Sequence, residues 1–305
     1  GVTATDAVAA GGSVDLNAAG ENGSVKMLDV TEVKDMPASS KLAIVMNVSV
    51  TEDMANAQAI DLTVAPATDG NAVYYAYVSA NEWTELFRTM VSRDPAPKNM
   101  WVNYVAYAVS ENQRVLLGAV GAAQEVVVTP IAPDHVIESA YYLYFSGRGF
   151  ADVQKLSQEG NVYDNPEFIA VINVEAGQVP CSFQLIPEST KAAGQTWAQN
   201  PSRVFYGPKG QENLVASTPE ANAPEFAITS AGRYELRVDM YDLTYKLQVA
   251  AEYLYVPGGG NGWSFSTMLG TDNYINYQGF AYLDGQFKFT NAPGWDAPGN
   301  YGNAG

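Results

Sequence analysis

Basic residues are scarce in this chain: 16 Lys and Arg stand against 33 Asp and Glu, a formal charge of −17. Phosphate backbones are held by clustered Lys and Arg, and no basic stripe is present, so nucleic acid is excluded as a partner. The same balance is repelled by an anionic membrane face. Cysteine is nearly missing too. The single Cys181 permits no intrachain disulfide, and at the head of Cys181-Ser182-Phe183-Gln184 it reads as a small core residue. Histidine is likewise reduced to one, His135. Nothing marks a nucleophile or carboxylate partner for it, so it reads as a solvated linker residue and not a catalytic base. No apolar run reaches the roughly 18 residues of a membrane-spanning helix. No signal peptide is visible, and Gly1-Val2-Thr3-Ala4 reads as a trimmed start from which a signal and any lipid anchor have been removed.

Helical periodicity is also rare. One segment has it, Ser79 to Val91: Ser79 and Glu82 stand as in a capping box, and Trp83, Phe87 and Met90 share a face. They are expected in the core. The rest is strand-like. Leu42–Val50, Val73–Val78, Trp101–Val109 and Val126–Thr129 are apolar or β-branched runs between turn residues, a pattern that calls for an all-β sandwich. Residues 1–132 are therefore expected to form an immunoglobulin-like sandwich whose first strands come from Ser13–Val30. Two prolines in Thr129-Pro130-Ile131-Ala132-Pro133-Asp134 favour an extended linker.

Beyond that linker the sequence repeats itself. Tyr142-Leu143-Tyr144-Phe145 is answered by Tyr253-Leu254-Tyr255-Val256, and each run enters a glycine-rich loop tipped by an aromatic, Phe150 in one copy and Trp263 in the other. Pro166-Glu167-Phe168 answers Gln278-Gly279-Phe280, and Ser182-Phe183-Gln184-Leu185 is matched to Gln286-Phe287-Lys288-Phe289. Trp197 answers Trp295, and Tyr206-Gly207 answers Tyr301-Gly302. The first module spans 139–250. It closes with a hairpin in which Tyr234, Leu236 and Val238, then Leu243, Tyr245, Leu247 and Val249, alternate about a turn at Met240-Tyr241-Asp242. The second, 251–305, lacks that hairpin; it reads as truncated, with the native polypeptide expected to continue.

The candidate contacts cluster in the second copy. Glycines at 258–260 and 262 permit the turns that hold Trp263 at a rim, where an indole either stacks on the C–H face of a sugar ring or folds inward as a core cap. Trp295 sits on a stiff Pro-Gly loop with Asp296, Asn300 and Asn303 nearby. Lys288 faces away from Phe287 and Phe289, either as a donor to hydroxyls or as an ordinary solvated lysine. Tyr274 and Tyr277 offer a second stacking surface. In the first copy Phe150 and Gln184 stand where Trp263 and Lys288 stand in the second. Trp197 and Tyr206 remain there, and Arg148 and Arg203 are possible substitutes for the missing donors. The glycine run lacks the Lys-Ser/Thr and the helix of a phosphate loop. No EF-hand loop is present, no cofactor or metal is called for, and no pair of buried carboxylates suggests a glycosidase.

The repeated Tyr-Leu-Tyr starts, Gly259-Gly260-Asn261-Gly262-Trp263-Ser264, the segments Gly279–Leu283 and Gln286–Thr290, and Pro293-Gly294-Trp295 with Asn300-Tyr301-Gly302 together resemble the SusE/SusF family of Bacteroidetes surface lipoproteins. The resemblance implies an immunoglobulin-like domain followed by tandem carbohydrate-binding β-sandwiches and no enzymatic activity. It also implies an outer-membrane, cell-surface location through a lipid anchor. The implied partners are an α-glucan such as starch and possible proteins of an outer-membrane uptake complex. Trp263, Trp295 and Lys288 are the positions that fit the family's aromatic arc and basic side chain. The alternative function is a structural or adhesion scaffold that packs on uptake partners without binding sugar.

Overall fold

In the computed structural model, which describes residues 1–19, 23–194, 203–218, 223–297 and 299–301, the chain divides into two compact units, Gly1–Val136 and Ile137–Gly305. The first holds β1 (Val2–Asp6), β2 (Ser13–Asp15), β3 (Ser24–Val33), β4 (Lys41–Ser49), β5 (Gln58–Asp61), β6 (Thr63–Pro66), β7 (Tyr74–Ser79), α1 (Ala80–Met90), β8 (Lys98–Val109) and β9 (Arg114–Thr129). They form two sheets, ordered β1-β3-β7-β6 and β2-β9-β8-β4-β5. Alternation decides which face turns inward: on β8, Met100, Val102, Tyr104 and Ala106 are buried, while the residues between them face out. Helix α1 starts where the sequence places it, with the Ser79 hydroxyl accepting from the Glu82 N–H at 3.2 Å. Trp83 and Phe87 are fully buried against both sheets, and Met90 packs at the margin.

Two features of this unit depart from expectation. A strand precedes Ser13: β1 pairs with β3, Ala4 opposite Val30. Its Val-Thr-Ala-Thr-Asp alternation uses side chains too small to stand out as a pattern. Strand β9 begins not at Val126 but at Arg114, and its early residues Val115 and Leu116 are exposed. Register shifts near Val102 and Ala106 of the partner strand break the period-two pattern there, and so hide the strand from a reading based on alternation.

The second unit contains β10 (Tyr141–Phe145), β11 (Gln154–Lys155), β12 (Glu167–Val174), β13 (Cys181–Pro187), α2 (Glu188–Ala193), β14 (Phe205–Gly210), β15 (Asn213–Ser217), β16 (Phe226–Ile228), β17 (Gly232–Asp239) and β18 (Thr244–Val249). Their order is β11-β10-β13-β14-β15-β18-β17-β12, with β16 added to β13. The core joins Leu143, Phe145, Phe168, Phe183, Leu185, Leu236 and Val238, and Cys181 is buried beside them. The closing hairpin pairs Leu236 with Leu247 and Val238 with Tyr245. Its turn is fixed by Asp239, whose carboxylate accepts from the N–H groups of Tyr241 and Asp242, both at 2.9 Å.

The second copy contributes β19 (Tyr253–Tyr255), β20 (Met268–Gly270), β21 (Phe289–Thr290) and β22 (Asn300–Tyr301). Their order, β20-β19-β21-β22, repeats β11-β10-β13-β14. The register corrects one pairing of the repeats. Tyr144 faces Gln184 across β10 and β13, and its equivalent Tyr255 faces Thr290. The counterpart of Gln184 is therefore Thr290, both being fully buried, and the counterpart of Lys288 is Ser182. The sequences Phe-Gln-Leu and Phe-Lys-Phe invite the other alignment because a slip of two residues leaves every side chain on its own face.

Candidate functional site

Between β19 and β20 the chain makes a long loop, 256–267, that carries Trp263. The loop is stapled by Asn261. Its Oδ1 accepts from the Gly258 N–H at 3.1 Å, and its Nδ2 donates to the Val256 carbonyl at 2.8 Å and to Thr267 Oγ1 at 3.1 Å. The glycines are there for close approach. A Cβ on Gly259 would stand 2.4 Å from the Asp284 carbonyl oxygen, and one on Gly260 would stand 2.3 Å from that of Tyr282. The loop thus lies directly on the main chain of 282–287, and Gly259 N–H donates to the Gln286 carbonyl at 3.0 Å. Trp263 itself has φ +63°, a left-handed conformation that costs a side-chain-bearing residue about 1–2 kcal/mol. Its N–H bond to the Gly258 carbonyl, 2.8 Å, helps hold it there. Gly260→Ala is expected to lift this loop from its bed, changing the tryptophan emission and costing about 1–3 kcal/mol in urea unfolding.

Trp295 approaches from the loop between β21 and β22. That loop is closed at its neck by Asn291, which donates its N–H to the Gly299 carbonyl at 3.0 Å and accepts from the Gly299 N–H at 2.9 Å. The two indoles meet with ring centroids 6.0 Å apart and planes inclined at 45°. They are 39% and 51% exposed, so neither is a core cap. Half-buried Phe265 stands edge-on to Trp295 at 5.0 Å and completes an aromatic trio. Phe265 is not among the candidates that the sequence singles out, although its position two residues after Trp263 is a signal for it. Beside the trio, the Ser264 and Ser266 hydroxyls lie 2.8 Å apart.

Lys288 borders the base of the same loop, its N–H bonded to the Pro257 carbonyl at 3.0 Å. Its side chain points away from Phe287 and Phe289, whose rings meet at 5.6 Å. Tyr274 and Tyr277 are placed elsewhere. They follow β20 at the Tyr253 end of the hairpin, opposite the end that carries Trp263. The Arg233 guanidinium lies over the Tyr274 ring at 3.9 Å, and the Tyr277 hydroxyl donates to the Ala251 carbonyl at 2.7 Å. Burial pushes the Tyr277 phenol above its usual range. Tyr274 thus joins the second copy to the first, Tyr277 bonds within the second copy, and neither ring extends the indole pair.

Trp197 and Asn303 lie outside the described residues. Elsewhere in the first copy, Phe150 packs on Tyr144 at 4.9 Å, and Tyr144 on Phe205 at 5.8 Å, within a small apolar cluster that includes Tyr142 and Ile186. Gln184 is buried and donates to the Ala223 carbonyl at 2.6 Å. The Arg148 guanidinium covers the Phe145 ring at 4.6 Å, and Arg203 Nε is buried with no hydrogen-bond partner among the described residues.

Residues 136–249 match a family model described as SusF, first starch specific CBM. No curated protein matches the chain. Among solved structures, SusF from Bacteroides thetaiotaomicron is similar at 16% identity with a TM-score of 0.41, covering 100% of this chain and 66% of that one. The chain thus spans just under two thirds of that protein's length. A DUF4784 family protein from Bacteroides caccae ATCC 43185 is similar at 9% identity with a TM-score of 0.18, covering 95% and 76%. The likeness to SusF is thus carried by residues 136–249, which match its first starch-specific module.

Proposed function

We propose that this chain is a non-catalytic cell-surface protein that binds starch or a related α-glucan through Trp263, Trp295 and Phe265, with Lys288 donating from the adjoining strand edge. The observation that carries the reading is the exposed indole pair, held 6.0 Å apart on two loops that are each pinned internally. Apolar ring faces held ready at a surface suit the C–H faces of successive sugar units, and their order in the free protein reduces the cost of binding. The inclination of the two planes favours a curved chain of sugars over a flat one. The match of 136–249 to a starch-specific module supports the same ligand class. The acids flanking the trio, Asp284 and Asp296, are exposed, whereas glycoside hydrolysis needs one carboxyl kept protonated by its surroundings. The resemblance supports placement at the outer membrane through a lipid anchor, and a role in delivering polysaccharide to an uptake system.

The test is affinity electrophoresis of the chain in gels containing starch, glycogen, dextran or a soluble cellulose derivative. Retarded migration in starch and glycogen is expected. Unretarded migration in all four gels sinks the reading, and release of reducing sugar on incubation with starch refutes its non-catalytic part.

A further inference from the structure

The backbone at Trp263 is held where a large side chain does not settle by itself. Its φ of +63° persists only where the surroundings over-determine it. Gly262 before it is left-handed as well, at φ +66°. The chain therefore reverses sharply after the short turn Gly259–Asn261, and the indole comes to rest against Trp295.

The bonds that hold this reversal run through one carboxamide. The Gly258 carbonyl accepts from the Trp263 N–H at 2.8 Å and from the Asn261 N–H at 3.2 Å. The Gly258 N–H is held in turn by Asn261 Oδ1 at 3.1 Å. Asn261 Nδ2 then ties the turn to both ends of the loop, donating to the Val256 carbonyl at 2.8 Å and to Thr267 Oγ1 at 3.1 Å. Val256 and Gly258 are buried, while Gly262 and Trp263 are exposed, so the anchor is fixed and the tip is presented. A carboxamide supplies an acceptor and two donors, and this one uses all three. A carboxylate of the same shape has acceptors only, and it would set an anion against the Val256 carbonyl.

The first copy supplies a contrast. Its corresponding loop, 146–153, contains no asparagine. The aromatic there, Phe150, has an ordinary negative φ and packs down on Tyr144 at 4.9 Å. Staple and raised ring occur together in one copy, and both are missing from the other.

We propose that Asn261 is the positioning residue of the indole pair. Its carboxamide holds Gly258, Gly258 holds Trp263 left-handed, and Trp263 meets Trp295 only while those bonds are intact. The consequence for sugar rests on the glycan reading above; the geometry of the pair does not.

Circular dichroism of the full chain tests the geometry without ligand. Two indoles in contact give an exciton couplet, measured as the difference between the parent and Trp295→Phe. Asn261→Asp is expected to lose that couplet, with the strand signal and the melting of the first unit as in the parent. Thr267→Val removes one of the three partners and is expected to lose part of it. Calorimetric titration with maltoheptaose reads the consequence. Asn261→Asp is expected to bind about tenfold more weakly, because the indole must then be ordered on binding. A couplet that persists in both Asn261→Asp and Thr267→Val overturns the proposal, as does a lost couplet with unchanged affinity. A parent that binds no maltoheptaose counts against the glycan reading alone, since the couplet still decides the role of Asn261.

Discussion

Replacing Trp263 and Trp295 together by alanine is expected to abolish retardation in starch gels while leaving the fold intact. Each ring presents one face to solvent in the free protein, and a sugar unit that covers it removes apolar area from water on both partners. Covering a large apolar side chain is worth about 1.5–3 kcal/mol, or roughly ten- to a hundredfold in affinity for each indole. The rings touch at 6.0 Å, so the two losses will not add independently. The first substitution also removes a wall against which the second ring rests. Trp295→Ala is expected to have the larger single effect, because it strips contacts from both Trp263 and Phe265. Both indoles are exposed, so the double variant should unfold within about 1 kcal/mol of the parent. Tyr274→Ala supplies the contrast. Its ring lies under Arg233 and not beside the indoles, so retention should persist. A double variant that runs as slowly as the parent in starch would remove the aromatic site from consideration.

The legible parts of this molecule were those in which local chemistry and tertiary use agree. Helix α1 could be read from Ser79 and the spacing of Trp83 and Phe87 because the cap and the buried face lie on one short segment. Trp263 and Trp295 stood out as candidates because glycines precede the first and Pro293-Gly294 the second, and such loops run over the surface; that the two rings meet was not legible, because their loops lie some thirty residues apart. The correspondence of Lys288 was misread because alternation repeats every two residues, so only hydrogen-bond partners, Tyr144 with Gln184 and Tyr255 with Thr290, fix the offset. Tyr274 and Tyr277 shared the aromatic chemistry of the site but not its place. Their partners, Arg233 and the Ala251 carbonyl, sit earlier in the chain, and spacing does not reveal which end of a hairpin a loop will join. Strand β1 was missed because its inward residues, Val2 and Ala4, are too small and too half-buried to mark a face.

A pair of matched substitutions separates the two copies most sharply. The sequences match Phe168 to Phe280, yet the first is fully buried and the second fully exposed, because the Ser157–Ile169 and Gly270–Gln278 bridges put Phe280 at the place of exposed Asn173. Phe168→Ala empties a site enclosed by Tyr141, 4.8 Å away ring to ring, and by Val238 across the strand. It is expected to cost about 3–5 kcal/mol through lost transfer energy and the cavity left behind. For a unit of this size that lowers the melting temperature by about 10 °C. Phe280→Ala removes a ring that touches water on every side, and its expected effect is within about 0.5 kcal/mol. Calorimetry resolves the difference provided that the transition of the second unit is followed apart from that of the first, since the two need not melt together. Equal destabilisation by both substitutions would mean that Phe280 is covered in solution. A large loss at Phe168 with none at Phe280 would instead show that Phe168 is enclosed by its own module while Phe280 is uncovered in this chain.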